Sequence, residues 1–165
     1  MKTVSLFMKK MTAPAIALTF LVAANVTRME AATTPDLTPQ QIETALEDAF
    51  AGLVAFDAPR VLNNFADDAV LEDPVGTPPM VGKDAIAAYL ASIPTIFNQM
   101  KLYSLNIKVR GHEAAVTWRI RFTTKTGNVF FLEGIGYFQF NEQGKIKLEK
   151  EFFDLDYFLS QLGGI

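Results

Sequence analysis

The residues of this 165-residue chain that could do chemistry are acids set among apolar neighbours. Asp73 closes a short strand pattern, Ala69 to Asp73, that runs into Pro74 and the turn Gly76-Thr77-Pro78-Pro79. Period two puts Ala69, Leu71 and Asp73 on one face, with Val70 and Glu72 on the other. A carboxylate on an apolar face loses water, which raises its basicity and suits it to general-base work. The same side chain could instead accept backbone N–H bonds within the turn, as turn aspartates do. Glu149 and Glu151 alternate on a later strand pattern in which Ile146, Leu148 and Phe152 read as the buried face. On that reading Lys147, Glu149 and Glu151 form a solvated charge stripe. Tyr89 and Trp118 carry donors that could serve a cavity, or they are core aromatics with one satisfied polar atom.

Other chemistries fall away on composition. The chain has no Cys, which removes disulfides, thiol catalysis and cysteine-ligated zinc. Its single histidine, His112, leaves almost nothing for a Ser-His-Asp triad or a histidine metal site; it sits in a turn beside Gly111 and Glu113, where it is expected to be exposed and inert. No cofactor is implied. With 15 Lys and Arg against 18 Asp and Glu and no basic run, the chain lacks the clustered cations that nucleic acid requires. Half the residues are hydrophobic and 12% are aromatic, so the chain can bury a substantial core.

Residues 1–31 read apart from the rest. Lys2, Lys9 and Lys10 precede an uncharged, mostly apolar run of 16 residues, Met11 to Val26, with small residues at Ala24 and Ala31/Ala32. These are the parts of a secretory signal peptide, cleaved after Ala24 or Ala31, and the run is short for a membrane span. Removing 1–31 takes away Lys2, Lys9, Lys10, Arg28 and Glu30, leaving 11 cations, 17 acids and a net charge of −6. The expectation is a secreted or periplasmic domain over 38–165, after a linker at 32–37, with no membrane span left after cleavage.

The elements that position the candidates follow from period and punctuation. Thr38-Pro39-Gln40-Gln41 is a capping box with Pro at the first helical position. Ile42, Ala45, Leu46, Ala49, Leu53 and Phe56 carry that helix to about Phe56. Asp57 caps a second helix with Val61, Leu62 and Phe65 on its apolar face, and Asp67-Asp68 breaks it. A third helix runs from Gly82 to about Ile93, with Tyr89 on its apolar face, and Pro94 ends it. From Lys101 the period becomes two. Tyr103, Leu105, Ile107 and Val109 form one strand; Val116, Trp118, Ile120 and Phe122 form the next, with Arg119 and Arg121 facing outward. Val129 to Phe140 and Ile146 to about Asp154 complete a meander. Helices followed by long strands give an α+β domain with helices on one face of an antiparallel sheet.

The stretch Phe65-Ala66-Asp67-Asp68-Ala69-Val70-Leu71-Glu72-Asp73-Pro74-Val75-Gly76, with Pro78-Pro79 and Gly82, closely resembles the corresponding segment of bacterial ketosteroid isomerases. These belong to the nuclear transport factor 2-like superfamily, with the SnoaL-like polyketide cyclases and limonene epoxide hydrolases. The resemblance extends to the Phe138–Ile146 hairpin and, in element order, from Thr38 to Leu162; the ending Lys150-Glu151-Phe152-Phe153-Asp154 is more similar to the cyclase and epoxide hydrolase branch. It implies a curved sheet wrapped around three helices into a cone with an apolar pocket, and Asp73 as a general base that shuttles a proton between two carbons.

The resemblance also marks departures. The isomerases' oxyanion donors, a Tyr and an Asp, would fall on Ala49 and Gly136. The implied hairpin register puts Leu132, Gly134, Gly136 and Phe138 on the concave face, where two glycines would widen the pocket or mark a bulge or close backbone approach. It turns Glu149, Glu151 and Phe153 inward, against the charge-stripe reading. Glu151 matches one catalytic Asp of the epoxide hydrolases, whose other Asp and Arg would fall on Gly136 and Gly134. Phe131, Ile135 and Tyr137 would form a convex apolar patch suited to a homodimer. Two functions compete. One is an isomerase- or cyclase-like enzyme acting on an apolar, steroid- or polyketide-like carbonyl compound, with Asp73 as base and Glu151 or Tyr89 as supporting acid. The other is a non-catalytic module of the same fold that holds a small molecule or only dimerises.

Overall fold

The computed structural model describes residues 37–163, and the expected signal segment and residues 32–36 of the expected linker lie outside the described residues. The first helix, α1, spans Pro39–Val54 and starts as its capping box dictates. Thr38 Oγ1 accepts the Gln41 amide N–H at 3.3 Å, and Gln41 Oε1 accepts the Thr38 amide N–H at 2.9 Å. Helix α2 covers only Ala58–Leu62, with Asp57 Oδ1 accepting the Arg60 amide N–H. Phe65 therefore opens strand β1, Phe65–Glu72, instead of closing α2. The Asp67-Asp68 pair lies within β1 and points outward. A two-residue strand β2, Met80–Val81, precedes α3, Lys83–Ile96. Pro94 sits inside the last turn of α3 and does not end it.

Strand β3 spans Phe97–Arg110, β4 Glu113–Thr124, β5 Val129–Phe140 and β6 Ile146–Phe152; α4, Leu155–Gln161, closes the described chain. The sheet runs β2-β1-β6-β5-β4-β3. All neighbours are antiparallel except β1 and β6, which pair in parallel and bring the Asp73 turn beside β6. Helical residues Ile42, Leu46, Ile86 and Leu90 join Val116, Ile120, Leu132 and Phe138 of the strands in one buried core.

Two single-residue bulges set which side chains reach the interior. On β3 the pairs Leu102↔Ile120 and Ser104↔Arg119 leave Tyr103 without a partner on β4. Tyr103 is half exposed, and the inward set becomes Met100 and Leu102, then Leu105, Ile107 and Val109. On β6 the pairs Phe140↔Ile146 and Gln139↔Leu148 leave out Lys147. One extra residue flips the strand's faces. Ile146 is buried before the bulge; beyond it Glu151 is 5% exposed and Phe152 47% exposed. The solvated charge stripe is thus corrected for both glutamates: Lys147 points out, while Glu149 and Glu151 face the interior.

Candidate active site

Asp73 lies just past β1, where Glu72 pairs with Lys150. The Val75 amide N–H donates to the Glu151 carbonyl at 2.8 Å and continues that ladder. Alternation along the two parallel strands assigns the side chains. Glu72 and Lys150 form an ion pair at 2.9 Å, whereas Leu71, Asp73, Glu149 and Glu151 line the interior cavity. The Asp73–Pro74 peptide is cis. Hydrogen bonds within the turn run to the Pro74 carbonyl, from the Thr77 amide at 3.1 Å and its hydroxyl at 2.7 Å. Among the described residues no backbone N–H donates to the Asp73 carboxyl, so the turn-stabilising alternative does not describe it. Its donor is the Tyr89 hydroxyl, at 2.6 Å from Oδ2.

The cavity has a volume of about 110 Å³, several times the space one water needs. Tyr89 enters from α3, Trp118 from β4 and Leu132 and Phe138 from β5; Phe153 follows β6. Trp118 Nε1–H donates to Glu151 Oε2 at 2.6 Å. Of the expected pocket residues, Leu71, Trp118, Leu132, Phe138, Glu149 and Phe153 all line the cavity, together with Asp73, Glu151 and Tyr89.

Gly134 and Gly136 do not. Their concave faces are occupied, so the expected widening is corrected to close approach. A Cβ on Gly134 would collide with the Trp118 indole, and one on Gly136 would lie 2.6 Å from Glu151 Oε1. Gly136 and Glu151 are cross-strand partners, as are Gly134 and Trp118. The two glycines are therefore sockets for the hydrogen-bonded Trp118–Glu151 pair. The carboxyl missing from position 136 has a counterpart on the neighbouring strand.

Burial sets the ionisation of this wall. Desolvation raises the Asp73 pKa, against the Tyr89 hydrogen bond that lowers it. Desolvation and the Asp73 charge push Glu151 up to about 8, opposed by hydrogen bonds from Trp118 and Glu149. Glu149 is raised well above the ordinary glutamate value by desolvation, then by Glu151 and Asp73. Tyr89 is likewise raised, first by burial and then by the Asp73 charge. Both glutamates titrate against an Asp73 that is already charged, so Asp73 ionises first and Glu151 holds its proton at neutral pH. An anionic base beside a neutral acid can remove a proton from carbon and donate a hydrogen bond to the oxygen that gains charge.

The far end of the cavity is aromatic. Phe158 of α4 meets Phe97, Phe122, Phe130 and Phe153 at ring-centroid distances of 5.6–6.2 Å. The sequence reading missed α4 and Phe158. Its signal was present: Asp154 caps the helix through the Tyr157 amide, and Leu155, Phe158, Leu159 and Leu162 recur at helical spacing. His112 is half-buried instead of exposed, because its carbonyl accepts the Phe140 amide N–H and ties its turn to β5. It does not line the cavity. Arg119 faces outward as expected and pairs with Glu133 at 3.1 Å.

A helix-backed, open six-stranded sheet with its polar groups inside one apolar cavity is the nuclear transport factor 2-like architecture. The SnoaL-like domain model matches residues 46–149, and the chain belongs to that family. The fold is similar to that of a proposed polyketide cyclase from Xanthomonas campestris pv. campestris, at TM-score 0.68 and 16% identity over 74% of this chain and 97% of that one. It is similar too to an NTF2-like protein of unknown function from Burkholderia pseudomallei, at TM-score 0.68 and 20% identity, covering 74% and 97%. The third is TerC, co-crystallised with polyporic acid, at TM-score 0.67 and 20% identity, covering 74% and 98%.

Proposed function

We propose that the domain catalyses proton transfer on an apolar carbonyl compound, with Asp73 as general base and Glu151 as hydrogen-bonding acid. The observation that carries the reading is the placement of these two carboxyl groups in one apolar cavity, Asp73 just past β1 and Glu151 on the neighbouring β6, each with its own donor. Asp73 takes a proton from the carbon next to the carbonyl, and the C–H electron pair moves toward oxygen as an enolate forms. The Glu151 O–H donates to that oxygen. The Asp73 carboxylic acid then returns the proton to the far carbon of the conjugated system. Tyr89 orients Asp73 through its 2.6 Å bond. Fold relatives described as proposed polyketide cyclases, and TerC with its co-crystallised polyporic acid, support a small-molecule guest.

The test is turnover of a 3-oxo-Δ5 steroid by the wild type beside Asp73→Asn. A positioned general base contributes about 10²–10⁴-fold, and the variant is expected to lose that much in kcat. Equal activity in both proteins, or none in the wild type, removes the isomerase reading. A second reading, a binding module without catalysis, is favoured by Ala49, which offers the cavity only a methyl group where the isomerases carry a donor.

Two further expectations belong to this proposal. Export is supported by the basic and apolar runs of residues 1–26, and is checked by N-terminal sequencing of the protein recovered outside the cytoplasm. A homodimer through the convex face is supported by the cross-strand pair Ile135 and Phe152, 52% and 47% exposed. Ile135→Glu should then lower the mass seen by light scattering to that of one chain.

A further inference from the structure

Glu149 has no part in the proton-transfer scheme, yet it lines the cavity wall and faces inward with Asp73 and Glu151, desolvated there. Among the described residues it receives no hydrogen bond from outside the group of acids. Among the described residues the cavity lining holds three carboxyl groups and no Lys, Arg or His, so no cation in the wall pairs with them. The three do not converge tightly enough to hold a metal ion. A metal needs its oxygen ligands at about 2.0–2.6 Å, whereas an ammonium reaches acceptors at about 2.7–2.9 Å and directs its N–H bonds to separate ones. The rest of the lining is aliphatic and aromatic, which suits the hydrocarbon body that would carry such a group.

We propose that the cavity binds apolar amines in their protonated form, the ammonium seated on the wall formed by Asp73, Glu149 and Glu151, and that it excludes apolar anions. An incoming ammonium supplies the charge the wall lacks. It pairs with the Asp73 carboxylate and draws ionised character onto Glu149 and Glu151, whose protons pass to solvent. A carboxylate guest would add a further negative charge beside Asp73 in a medium that screens poorly, so it is rejected. A neutral alcohol or ketone falls between them. The inference concerns binding alone and stands whether or not Asp73 transfers protons.

Trp118, the chain's single tryptophan, donates to Glu151 inside the cavity and serves as the reporter. Its fluorescence in the full chain is titrated at pH 7 with three guests on one transparent skeleton: 1-adamantylamine, 1-adamantanol and 1-adamantanecarboxylate. The amine is expected to bind at least about tenfold tighter than the alcohol, the factor that 1.4 kcal/mol represents, and the carboxylate not measurably. Glu149→Gln should shrink the amine-to-alcohol ratio, with circular dichroism verifying that the variant is folded. An amine no tighter than the alcohol, a carboxylate that binds as well as the amine, or no binding by any of the three overturns the proposal. The wild-type comparison decides this even if the variant does not fold. A failed steroid assay leaves it untouched.

Discussion

The two ends of the cavity are built on opposite principles from the same strands. At one end Phe97, Phe122, Phe130 and Phe158 pack ring against ring, with Phe122 and Phe130 stacked at 5.2 Å and Phe97 to Phe122 at 4.9 Å. Each buried ring there gains from leaving water. At the other end Asp73, Glu149 and Glu151 are desolvated without a cation, an arrangement that costs stability unless protons stay bound. β4 serves both: Phe122 belongs to the aromatic end and Trp118 to the acidic wall. Stability and chemistry are thus separated along one strand, and substitutions at the two ends should have different signatures.

The largest effect on stability is expected at the aromatic end. Phe122→Ala should lower unfolding free energy by about 3–5 kcal/mol in denaturant titration, since it removes a ring from a packed cluster. A loss below about 1 kcal/mol would mean that the cluster is loosely packed. Next comes the socket under the acid. Gly136→Ala puts a methyl group against Glu151 and Phe138 and should cost about 1–3 kcal/mol by overpacking, while displacing the Glu151 carboxyl from Trp118. An unaltered Trp118 emission spectrum in that variant would contradict the socket.

The acidic wall should show its cost through pH. Glu151 binds its proton more tightly folded than unfolded, so the folded state holds more protons between the ordinary value of 4.5 and about 8. Stability therefore falls as pH rises through that window, and is unaffected by this group below it. Glu149 acts in the same direction. Thermal melts across that range should slope downward, and Glu151→Gln should flatten the slope. A melting temperature that rises over the window would contradict the burial of these acids. The smallest effect is expected from Tyr89→Phe. It leaves the ring in place and removes the donor to Asp73, costing about tenfold or less in kcat while raising the basicity of Asp73.

How much of this was legible in the sequence depends on where the strand period held. On β4, Val116, Trp118, Ile120 and Phe122 alternate without interruption, and all are buried as their spacing dictates. On β6 the alternation reads equally cleanly and misleads, because the bulge at Lys147 adds a residue that periodicity does not reveal. The resemblance placed Glu149 and Glu151 inward where periodicity placed them outward, since a residue-by-residue match carries the bulge with it. Gly134 and Gly136 show a different limit. An empty side chain in a strand can mean a hole or a socket, and only the positions of Trp118 and Glu151 distinguish them. β2 is two residues long and has no period to read. Asp73 was legible because a strand face, a turn and a family motif converged on it.

The central claim is that a neutral acid and an anionic base share one wall of an apolar cavity. Carboxyl-carbon NMR of the folded protein, with resonances assigned through Asp73→Asn and Glu151→Gln, tests it most directly. The account predicts a Glu151 midpoint at about 8, with Asp73 ionised at lower pH. A Glu151 midpoint at the ordinary glutamate value would show the group charged and hydrated at neutral pH, and would contradict it.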